Sequence, residues 1–313
     1  MLNQVLQQAN TVAISGHIRP DGDCIGSCTG LYLYIKKAYP EINVDVFLEP
    51  IPECFSMLDV VKEVQNEVCV DKQYDLFIAL DCAAKNRLGF SEVLFDKAKT
   101  TFCIDHHVSN SGFGDDNYIV PEASSTAELI YRLIDKEAIN QEIAESLYLG
   151  IVHDTGVFQY SCTAPETMEA AATLMRKGVR ASELIDKTYY EKTYAQNRIL
   201  GKALLDSSLL LDGKCIASYI TKEIMEEYHV KPSDMEGIVS QLRNTQGVEV
   251  AIFLYETAPN EYKISLRASG DVDVSKVAQC FGGGGHVKAA GANGKGNPQD
   301  MIDELAAEIG KQL

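Results

Sequence analysis

Basic residues are scarce in this sequence. Lys and Arg number 28 against 45 Asp and Glu, so the formal net charge is −17 and the isoelectric point is about 4.8. Proteins that bind long nucleic acids need many Lys and Arg residues, because affinity grows with the number of phosphates neutralised. We therefore do not expect a long duplex as a partner. A small anion can still bind where a local site supplies positive charge, for example through metal ions.

Long hydrophobic runs are also absent. No apolar run is long enough to span a bilayer. The first residues, MLNQVLQQANTVAIS, lack the basic start and apolar stretch that are typical of a signal peptide. We therefore expect a cytoplasmic protein that has no membrane partner.

Paired cysteines at metal-binding spacing are missing as well. The nine cysteines are scattered singly, and Cys24 and Cys28 have no second pair at zinc-finger spacing. Several of them, such as Cys103 and Cys215, lie in apolar runs, where a reduced thiol behaves as a small hydrophobic group. This usage favours buried, free thiols in a reducing compartment.

The first half of the chain alternates predicted strands with predicted helices. Strands are predicted because each segment is rich in Val, Ile or Phe and ends at polar residues; they are TVAISG, NVDVFL, YDLFIALD and TTFCIDHH. Helical patterns follow in CIGSCTGLYLYIKKAY, STAELIYRLIDKEA, QEIAESLYLGIVHD and PETMEAAATLMRKG. This alternation predicts an α/β fold with a parallel sheet and helices on both faces.

The second half has a different character. Residues 186–205 are polar with a helical pattern, and we predict a helical linker there, between a domain at 1–185 and a domain at 206–313. Two hairpins are predicted in the second domain, in SSLLLDGKCIASYI and VEVAIFLYETAPNEYKISLRAS. Helices follow at VSKVAQCF and PQDMIDELAAEIGKQL, which indicates a smaller α+β domain with a mixed or antiparallel sheet.

Histidines and aspartates recur where the predicted strands of the first domain end. Ligands bind at the carboxyl ends of the strands in such sheets. Five of the six histidines fall within short motifs, and four of these five lie close to aspartates. So many carboxylates at one edge would repel each other without cations. The candidate residues are His17, Asp21 and Asp23 after the first strand, Asp81 after the third, Asp105, His106 and His107 after the fourth, and His153 and Asp154 at the end of a helix.

The mixture of imidazole and carboxylate ligands suits Mn²⁺, Fe²⁺, Co²⁺ or Mg²⁺ better than structural zinc. Two such ions, roughly 3.5–4 Å apart, are a recurring device for phosphoryl hydrolysis, in which a bridging hydroxide attacks phosphorus. The number of carboxylates favours two metals over one. In HIRPDGD, Pro20 and Gly22 favour a tight turn that presents Asp21 and Asp23 together.

A glycine run in the second half is the other informative stretch. FGGGGHVKAAG contains Gly283, Gly284, Gly285 and His286. A flexible linker is one interpretation, but a histidine and small residues follow directly. We favour a loop whose N–H groups close on an anion, with His286 as a further donor.

These motifs resemble those of the DHH phosphoesterase superfamily. HIRPDGDCIGS, IALDCA, IDHHVSN and HDTGVF match its four motifs in order, over roughly residues 10–160. The resemblance implies that one metal is bound by His17 and Asp21, that Asp81 bridges both metals, and that Asp23, His106 and Asp154 hold the second. It also implies that His107 lies near the phosphate and that Asp105 supports the site.

SLRASGDVDVSKVAQCFGGGGHVKAAG resembles the signature of the DHHA1 domain, which accompanies the DHH domain in one branch. In that branch the second domain closes over the catalytic cleft, so the resemblance implies an active site between the domains. Arg267, Ser269 and His286 match substrate-contacting positions. Arg87 follows Asp81 closely, and it meets either a substrate phosphate or a surface carboxylate. Family-II pyrophosphatases carry a different second domain, which disfavours pyrophosphate as the substrate.

A compact chain with this domain pair implies hydrolysis of very short oligoribonucleotides to mononucleotides and of pAp to AMP. The resemblance implies Mn²⁺ as the metal, with Mg²⁺ or Co²⁺ as alternatives, and it allows a homodimer. A phosphodiesterase for cyclic di-AMP or linear pApA is the nearest alternative. A RecJ-like exonuclease is disfavoured, because the sequence has no basic track that would bind a long single strand. A nucleotide sensor without turnover is disfavoured because every ligand position is retained.

Overall fold

The computed structural model of the protein describes residues 2–313. Its chain divides into two compact units between Glu191 and Lys192. This division falls inside the predicted linker 186–205. Within that segment, residues 186–190 form a π-helical turn of the first unit. Ile199 and Ala203, which lie further on, are buried in the core of the second unit.

The first unit is built on a parallel sheet of five strands. Its strands are β1 (Thr11–Ser15), β2 (Asn43–Phe47), β3 (Leu76–Leu80), β4 (Thr100–Asp105) and β5 (Asp116–Ile119). They are arranged in the order β2-β1-β3-β4-β5, and all neighbouring pairs are parallel. Its helices are α1 (Leu2–Leu6), α2 (Gly22–Ala38), α3 (Glu92–Lys97), α4 (Thr126–Leu133), α5 (Gln141–Asp154), α6 (Pro165–Arg176) and α7 (Ala181–Ile185).

Both faces of this sheet are covered. Residues such as Val12 and Ile14 of β1 pack with α2, α4 and α5 on one face. Ala13 of the same strand points to the other face, where Phe77 packs against Phe95 of α3. The alternation of buried residues along β1 explains why the strand is apolar throughout. The predicted α/β class of the first domain is confirmed.

The closest helix contact of the unit joins α2 to α5. A Cβ added at Gly26 would lie 2.4 Å from the Ser146 carbonyl oxygen and 2.7 Å from the Gly150 nitrogen. A Cβ added at Gly150 would lie 2.7 Å from an Asp23 carboxylate oxygen. Only glycine fits at these two positions, because any side chain would push the helices apart. Asp154 lies one helical turn after Gly150, so the contact fixes Asp154 near Asp23.

The second unit has a mixed sheet of six strands. They are β6 (Ser208–Leu210), β7 (Cys215–Ile220), β8 (Val250–Ala258), β9 (Glu261–Ala268), β10 (Gly284–His286) and β11 (Ala289–Lys295), in the order β10-β11-β9-β8-β7-β6. Only the β7–β8 pair is parallel among these neighbours. The helices α8 (Tyr194–Leu205), α9 (Lys222–Tyr228) and α10 (Ile238–Arg243) cover one face, and α11 (Val274–Cys280) and α12 (Pro298–Gly310) cover the other.

Both predicted hairpins are present, as β6–β7 and β8–β9. No strand was predicted at β5, because this edge strand is short, polar and half-exposed. The glycine run also differs from the predicted loop. The N–H groups of Gly282 and Gly283 donate to the carbonyls of Gln279 and Ala278 at the end of α11, and Gly284 begins the short strand β10.

No helix of residues 2–313 combines the length and the apolar character needed to cross a membrane. Within the same residues, the thiols of Cys24, Cys28, Cys82, Cys103 and Cys215 are buried and free, as predicted. The prediction of burial is wrong for Cys54, Cys69 and Cys280, which are exposed, and Cys162 is half-buried.

Asp75 is expected to stabilise the first unit in a pH-dependent way. Its carboxylate accepts hydrogen bonds from the N–H groups of Asn10 (2.9 Å) and Thr11 (3.1 Å) and pairs with Lys99 at 2.7 Å. Lys99 and these N–H groups lower the pKa of Asp75 to about 2. Because the pKa is lower in the folded state, the stabilisation is present above the ordinary value and is lost as the pH falls towards about 2.

Asp75→Ala should therefore lower the free energy of unfolding at pH 7 by ~1 kcal/mol, and the difference from wild type should shrink as the pH falls. Urea unfolding followed by circular dichroism at pH 7, 5 and 3.5 measures this. Asp71→Ala, at an exposed aspartate, is the matched control. If the free energies of unfolding of Asp75→Ala and wild type differed by the same amount at all three pH values, the lowered pKa of Asp75 would be contradicted.

Candidate metal centre

The predicted ionisable residues meet at the carboxyl edge of the parallel sheet. His17 follows β1, Asp81 follows β3, and Asp105 is the last residue of β4. Among residues 2–313, three groups of side chains bring ligand atoms within 4.8 Å of one another. They are His17 with Cys24 and Asp81, Asp81 with His106 and His107, and Asp23 with His106 and Asp154.

Asp81 lies at the centre of these groups. Its side chain is 3% exposed, and its two oxygens face different partners. Oδ2 is 3.4 Å from His17 Nε2, whereas Oδ1 is 3.6 Å from His106 Nε2. Its φ of +52° lies in the left-handed region, which aspartate tolerates better than most residues. The carboxylate therefore has the geometry of a bridge between two sites.

The first of these sites is formed by His17 and Asp21 beside Asp81. Nδ1 of His17 lies 2.8 Å from the carbonyl of Ile18, so Nδ1–H donates and Nε2 faces the carboxylates. His17 Nε2 is 3.6 Å from Asp21 Oδ2. Asp21 is also the N-cap of α2, because its other oxygen accepts the N–H groups of Asp23 and Cys24 at 3.1 Å. This cap fixes the turn that the sequence predicted in HIRPDGD.

The second site is formed by Asp23, His106 and Asp154. His106 Nε2 is 2.9 Å from Asp154 Oδ2 and 3.9 Å from Asp23 Oδ2. Asp23 is fully buried, and its two oxygens accept the N–H groups of Thr126 (2.6 Å) and Ala127 (2.9 Å) at the start of α4. The positive end of a helix dipole stabilises a carboxylate in this position.

Asp105 holds His107 in place beside this cluster. Its Oδ1 accepts a hydrogen bond from His107 Nδ1 at 2.7 Å, which directs Nε2 of His107 away from Asp105. Its Oδ2 accepts a hydrogen bond from the buried amide of Asn110, also at 2.7 Å. Asp105 thus contacts His107 and Asn110 and holds the His107 ring in one orientation.

The electrostatics of the cluster show how tightly the charges are packed. Burial and then the neighbouring carboxylates Asp81 and Asp154 raise the pKa of Asp23. Burial also raises the pKa of Asp154. Burial alone would lower the pKa of both histidines, but adjacent carboxylates raise it to about 12 for His17 and about 10 for His106.

Such values mean that the cluster attracts positive charge strongly. Protons on the imidazoles supply some of this positive charge. Divalent cations can also supply it, because several of these side chains can coordinate one ion together. Imidazole and carboxylate donors without a required thiolate fit Mn²⁺, Co²⁺ or Mg²⁺. Cys24 lies within ligand range, but burial raises the pKa of its thiol, and a protonated thiol is a poor ligand. The residues present thus fit two divalent ions.

The predicted substrate residues fall in two places. The Arg87 carbonyl accepts the N–H of Ile18 at 2.8 Å, which places this segment next to the HIRPDGD turn. The Arg87 side chain is exposed, and residues 2–313 provide no salt bridge for it. In the second unit, Ala289 of β11 is paired with Arg267 of β9 and with His286 of β10. Arg267 and His286 are thus aligned across three strands.

Ser269 follows β9 and is exposed, and its N–H donates to the Glu249 carbonyl at 2.8 Å. Gly284 and Gly285 are exposed in β10, whereas Gly283 is half-buried. The short strand therefore presents two glycines and His286 at the edge of the second sheet.

Three features that hold the site residues in place were not predicted from the sequence. Asn110 lies within the quoted segment IDHHVSN, but an asparagine there gives no signal of its partner. Thr126 contributes its N–H to Asp23 and its hydroxyl, at 3.3 Å, to Asp81. The Gly26–Gly150 contact joins segments far apart in the chain. The segment SSTAE, which contains Thr126, predicted only the start of a helix.

Comparisons with known proteins agree with this architecture. Residues 11–151 match the N-terminal domain of the DHH family, and residues 212–313 match the DHHA1 domain. The bifunctional oligoribonuclease and PAP phosphatase NrnA of Thermus thermophilus is 30% identical over 303 residues, which cover 95% of this chain and 88% of that protein. The protein of the same name from Bacillus subtilis is 29% identical over 289 residues, with 91% and 89% covered.

Among solved structures, an exopolyphosphatase-related protein from Bacteroides fragilis has a TM-score of 0.91 and 26% identity. The match covers 99% of this chain and 96% of that one. The fold and the cluster define a hydrolase of phosphoester bonds. The chain belongs to the DHH family, in the branch that carries a DHHA1 domain.

We expect Asp154→Asn to stabilise the metal-free protein and to weaken its binding of Mn²⁺. Burial raises the pKa of the Asp154 carboxyl, and asparagine removes its charge while keeping an acceptor for His106. Without metal, we expect the thermal midpoint to rise by roughly 2–4 °C, which corresponds to about 1 kcal/mol in a unit of this size. With Mn²⁺, the stabilising shift of the wild type should be largely lost.

Thermal unfolding of chelator-treated protein, with and without added Mn²⁺, measures both effects. Asp116→Asn, at an exposed aspartate of β5, is the control and should behave as wild type. A variant that keeps the full Mn²⁺ shift would exclude Asp154 as a ligand.

Proposed function

We propose that this protein hydrolyses short oligoribonucleotides to mononucleotides and pAp to AMP. The relatives named for these two activities match nearly the whole chain, which supports the proposal. The net charge of −17 also supports it, because a short substrate needs only a local cationic site, not a long basic surface.

The observation that carries the proposal is the position of Asp81 between two ligand sets. One oxygen faces His17, and the other faces His106. We propose that His17, Asp21 and Asp81 hold one divalent ion, and that Asp23, Asp81, His106 and Asp154 hold the other. We favour Mn²⁺, with Mg²⁺ or Co²⁺ as alternatives. When bound, such a pair of ions lowers the pKa of water and neutralises phosphate charge.

His107 is proposed to bind the phosphate directly. Asp105 accepts a hydrogen bond from Nδ1–H and raises the pKa of the ring against the effect of burial, which favours the imidazolium form, in which Nε2 also carries a proton. That Nε2–H can donate to a phosphate oxygen on which negative charge grows during hydrolysis. Asn110 fixes the orientation of Asp105 and thereby of the imidazole.

The second unit is proposed to bind the part of the substrate that is not cleaved. Arg267 and His286, aligned across β9, β11 and β10, offer charged or polar donors. Ser269 and the exposed Gly284 and Gly285 complete the proposed contacts, and Gly283, whose N–H donates to the Ala278 carbonyl, borders them. Arg87 is proposed to meet a phosphate from the first unit. We further propose a cytoplasmic location, which the buried free thiols support, and a homodimer.

A substrate panel with Mn²⁺ tests the activity. The panel contains pAp, a ribodinucleotide, a ribopentanucleotide, pApA, cyclic di-AMP and pyrophosphate, with products separated by chromatography. We expect rapid turnover of pAp and short RNA, with cyclic di-AMP and pyrophosphate left intact. Preference for cyclic di-AMP or pApA would replace the proposal by a cyclic-dinucleotide phosphodiesterase. No turnover of any substrate would indicate a sensor.

Asp81→Ala should abolish hydrolysis of every substrate that the wild type cleaves. Both ligand sets lose a member, so we expect a loss of at least roughly 10²–10³-fold in kcat, the scale for removing one group that stabilises transition-state charge. Asp116→Ala is the matched control, and circular dichroism verifies folding. Activity within tenfold of wild type would contradict a bridging role for Asp81.

His107→Ala should lower kcat by roughly 10²-fold, since one donor to the phosphate is lost. The stoichiometry of bound Mn²⁺, measured by equilibrium dialysis, should stay at about two per chain, because Nδ1 is engaged by Asp105. His229→Ala, at an exposed histidine outside the cluster, should change neither quantity. Loss of one ion in the His107 variant would make His107 a metal ligand.

A further inference from the structure

An aromatic cluster begins at the turn that holds Asp21 and Asp23. A Cβ added at Gly22 would lie 2.2 Å from Cγ of His153, so the His153 ring packs directly on this turn. His153 Nε2 lies 2.9 Å from the Thr188 hydroxyl. Its ring centroid is 5.5 Å from that of Tyr189. The cluster is therefore in contact with the segment that carries two of the proposed metal ligands.

Tyr189 connects His153 to two exposed tyrosines. Its ring is 5.2 Å from that of Tyr190 in an edge-to-face arrangement. Burial, and then the neighbouring Tyr160 side chain, raise the pKa of Tyr189. Tyr160 is 45% exposed and Tyr190 is 59% exposed. Both side chains are thus accessible to solvent in part, although neighbouring residues pack against them.

The backbone that carries Tyr160 is held in a strained turn. Gly156, Val157 and Phe158 have φ values of +56°, +57° and +64°, in the left-handed region. This conformation is rare for a β-branched residue such as Val157. A Cβ at Gly156 would lie 2.5 Å from the Tyr160 ring, so the ring rests on this glycine. The turn follows Asp154 directly, and strain of this kind is concentrated at functional sites.

We propose that Tyr160 and Tyr190, supported by Tyr189, form a stacking surface for a nucleobase of the substrate. This inference rests on the proposed function, and it adds the part of the molecule that contacts the base. The His153 ring lies against the turn that carries Asp21 and Asp23, and Tyr189 packs on the other side of this ring. The proposal is that the phosphate of a nucleotide binds at the metal ligands and that its base reaches the tyrosines. Stacking suits this acidic protein because it needs no positive charge.

Stacking also accounts for substrates of varied sequence. Every base has a π-face, so aromatic side chains bind bases with little sequence preference. One stacked base changes affinity by roughly 5- to 150-fold. The surface therefore distinguishes nucleotides from phosphates that lack a base, whereas the metal cluster binds the phosphate of either.

The test uses the fluorescence of 2-aminopurine riboside 5′-monophosphate, which falls when the base stacks. The full-length protein in Mg²⁺ should quench this ligand, and AMP should displace it at least about tenfold more effectively than ribose 5-phosphate does. In Tyr160→Ala/Tyr190→Ala, quenching should be lost and AMP affinity should fall about tenfold. The affinity for ribose 5-phosphate should stay unchanged.

Two variants serve as controls. Tyr160→Phe/Tyr190→Phe keeps both rings and should retain quenching. Tyr39→Ala changes a half-buried tyrosine at the opposite end of α2, about 25 Å from the Asp21 turn, and should behave as wild type. Equal binding of AMP and ribose 5-phosphate by the wild type, or full AMP affinity in the double alanine variant, would overturn the inference.

The AMP-binding test and the substrate panel can fail separately. If the wild type cleaves short RNA but the tyrosine variants bind AMP normally, the stacking surface is wrong and the proposed function stands. If AMP stacks as expected but no substrate is cleaved, the nucleotide site stands and the proposed hydrolysis fails.

Discussion

Repulsion among carboxylates at one edge of the sheet is the constraint that the first unit has to satisfy. Asp23 and Asp81 are almost closed to water and Asp154 is half-buried beside them. Burial raises the pKa of both Asp23 and Asp154. The fold offsets this cost with oriented donors. The first N–H groups of α4 bind Asp23, His106 pairs with Asp154, and the Thr126 hydroxyl reaches Asp81. Without these donors, so much negative charge would favour unfolding.

Hydrogen-bond acceptors near the cluster orient two of its histidines before any cation arrives. The carbonyl of Ile18 accepts from Nδ1 of His17, and Asp105 accepts from Nδ1 of His107. Metal affinity and catalytic geometry depend on such supporting contacts nearly as much as on the ligands themselves. In this chain they come from segments between residues 18 and 126, so the site depends on the completed fold of the unit.

Sequence reasoning predicted the parallel sheet because buried parallel strands are continuous apolar runs, as TVAIS and LFIAL are. It predicted where His17, Asp81 and His106 would meet because strand ends of a parallel sheet share one edge. It missed β5, whose polar residues lie at the sheet margin, and Asn110, whose partner is defined only by tertiary contact. The tyrosine cluster escaped for a similar reason, since Tyr160 and Tyr190 are thirty residues apart in sequence.

The contact between Gly26 and Gly150 has a consequence for how this protein can change over evolutionary time. Either glycine, if replaced, would separate α2 from α5, and the movement would reach Asp23 and Asp154 within one helical turn. A substitution at this crossing would therefore alter the packing of the two helices and the geometry of the site at the same time. Neutral substitutions are not expected at either glycine. On the opposite side of the site, Asp105 ends β4 and His107 and Asn110 follow it, so the geometry there depends on hydrogen bonds and not on a contact between helices.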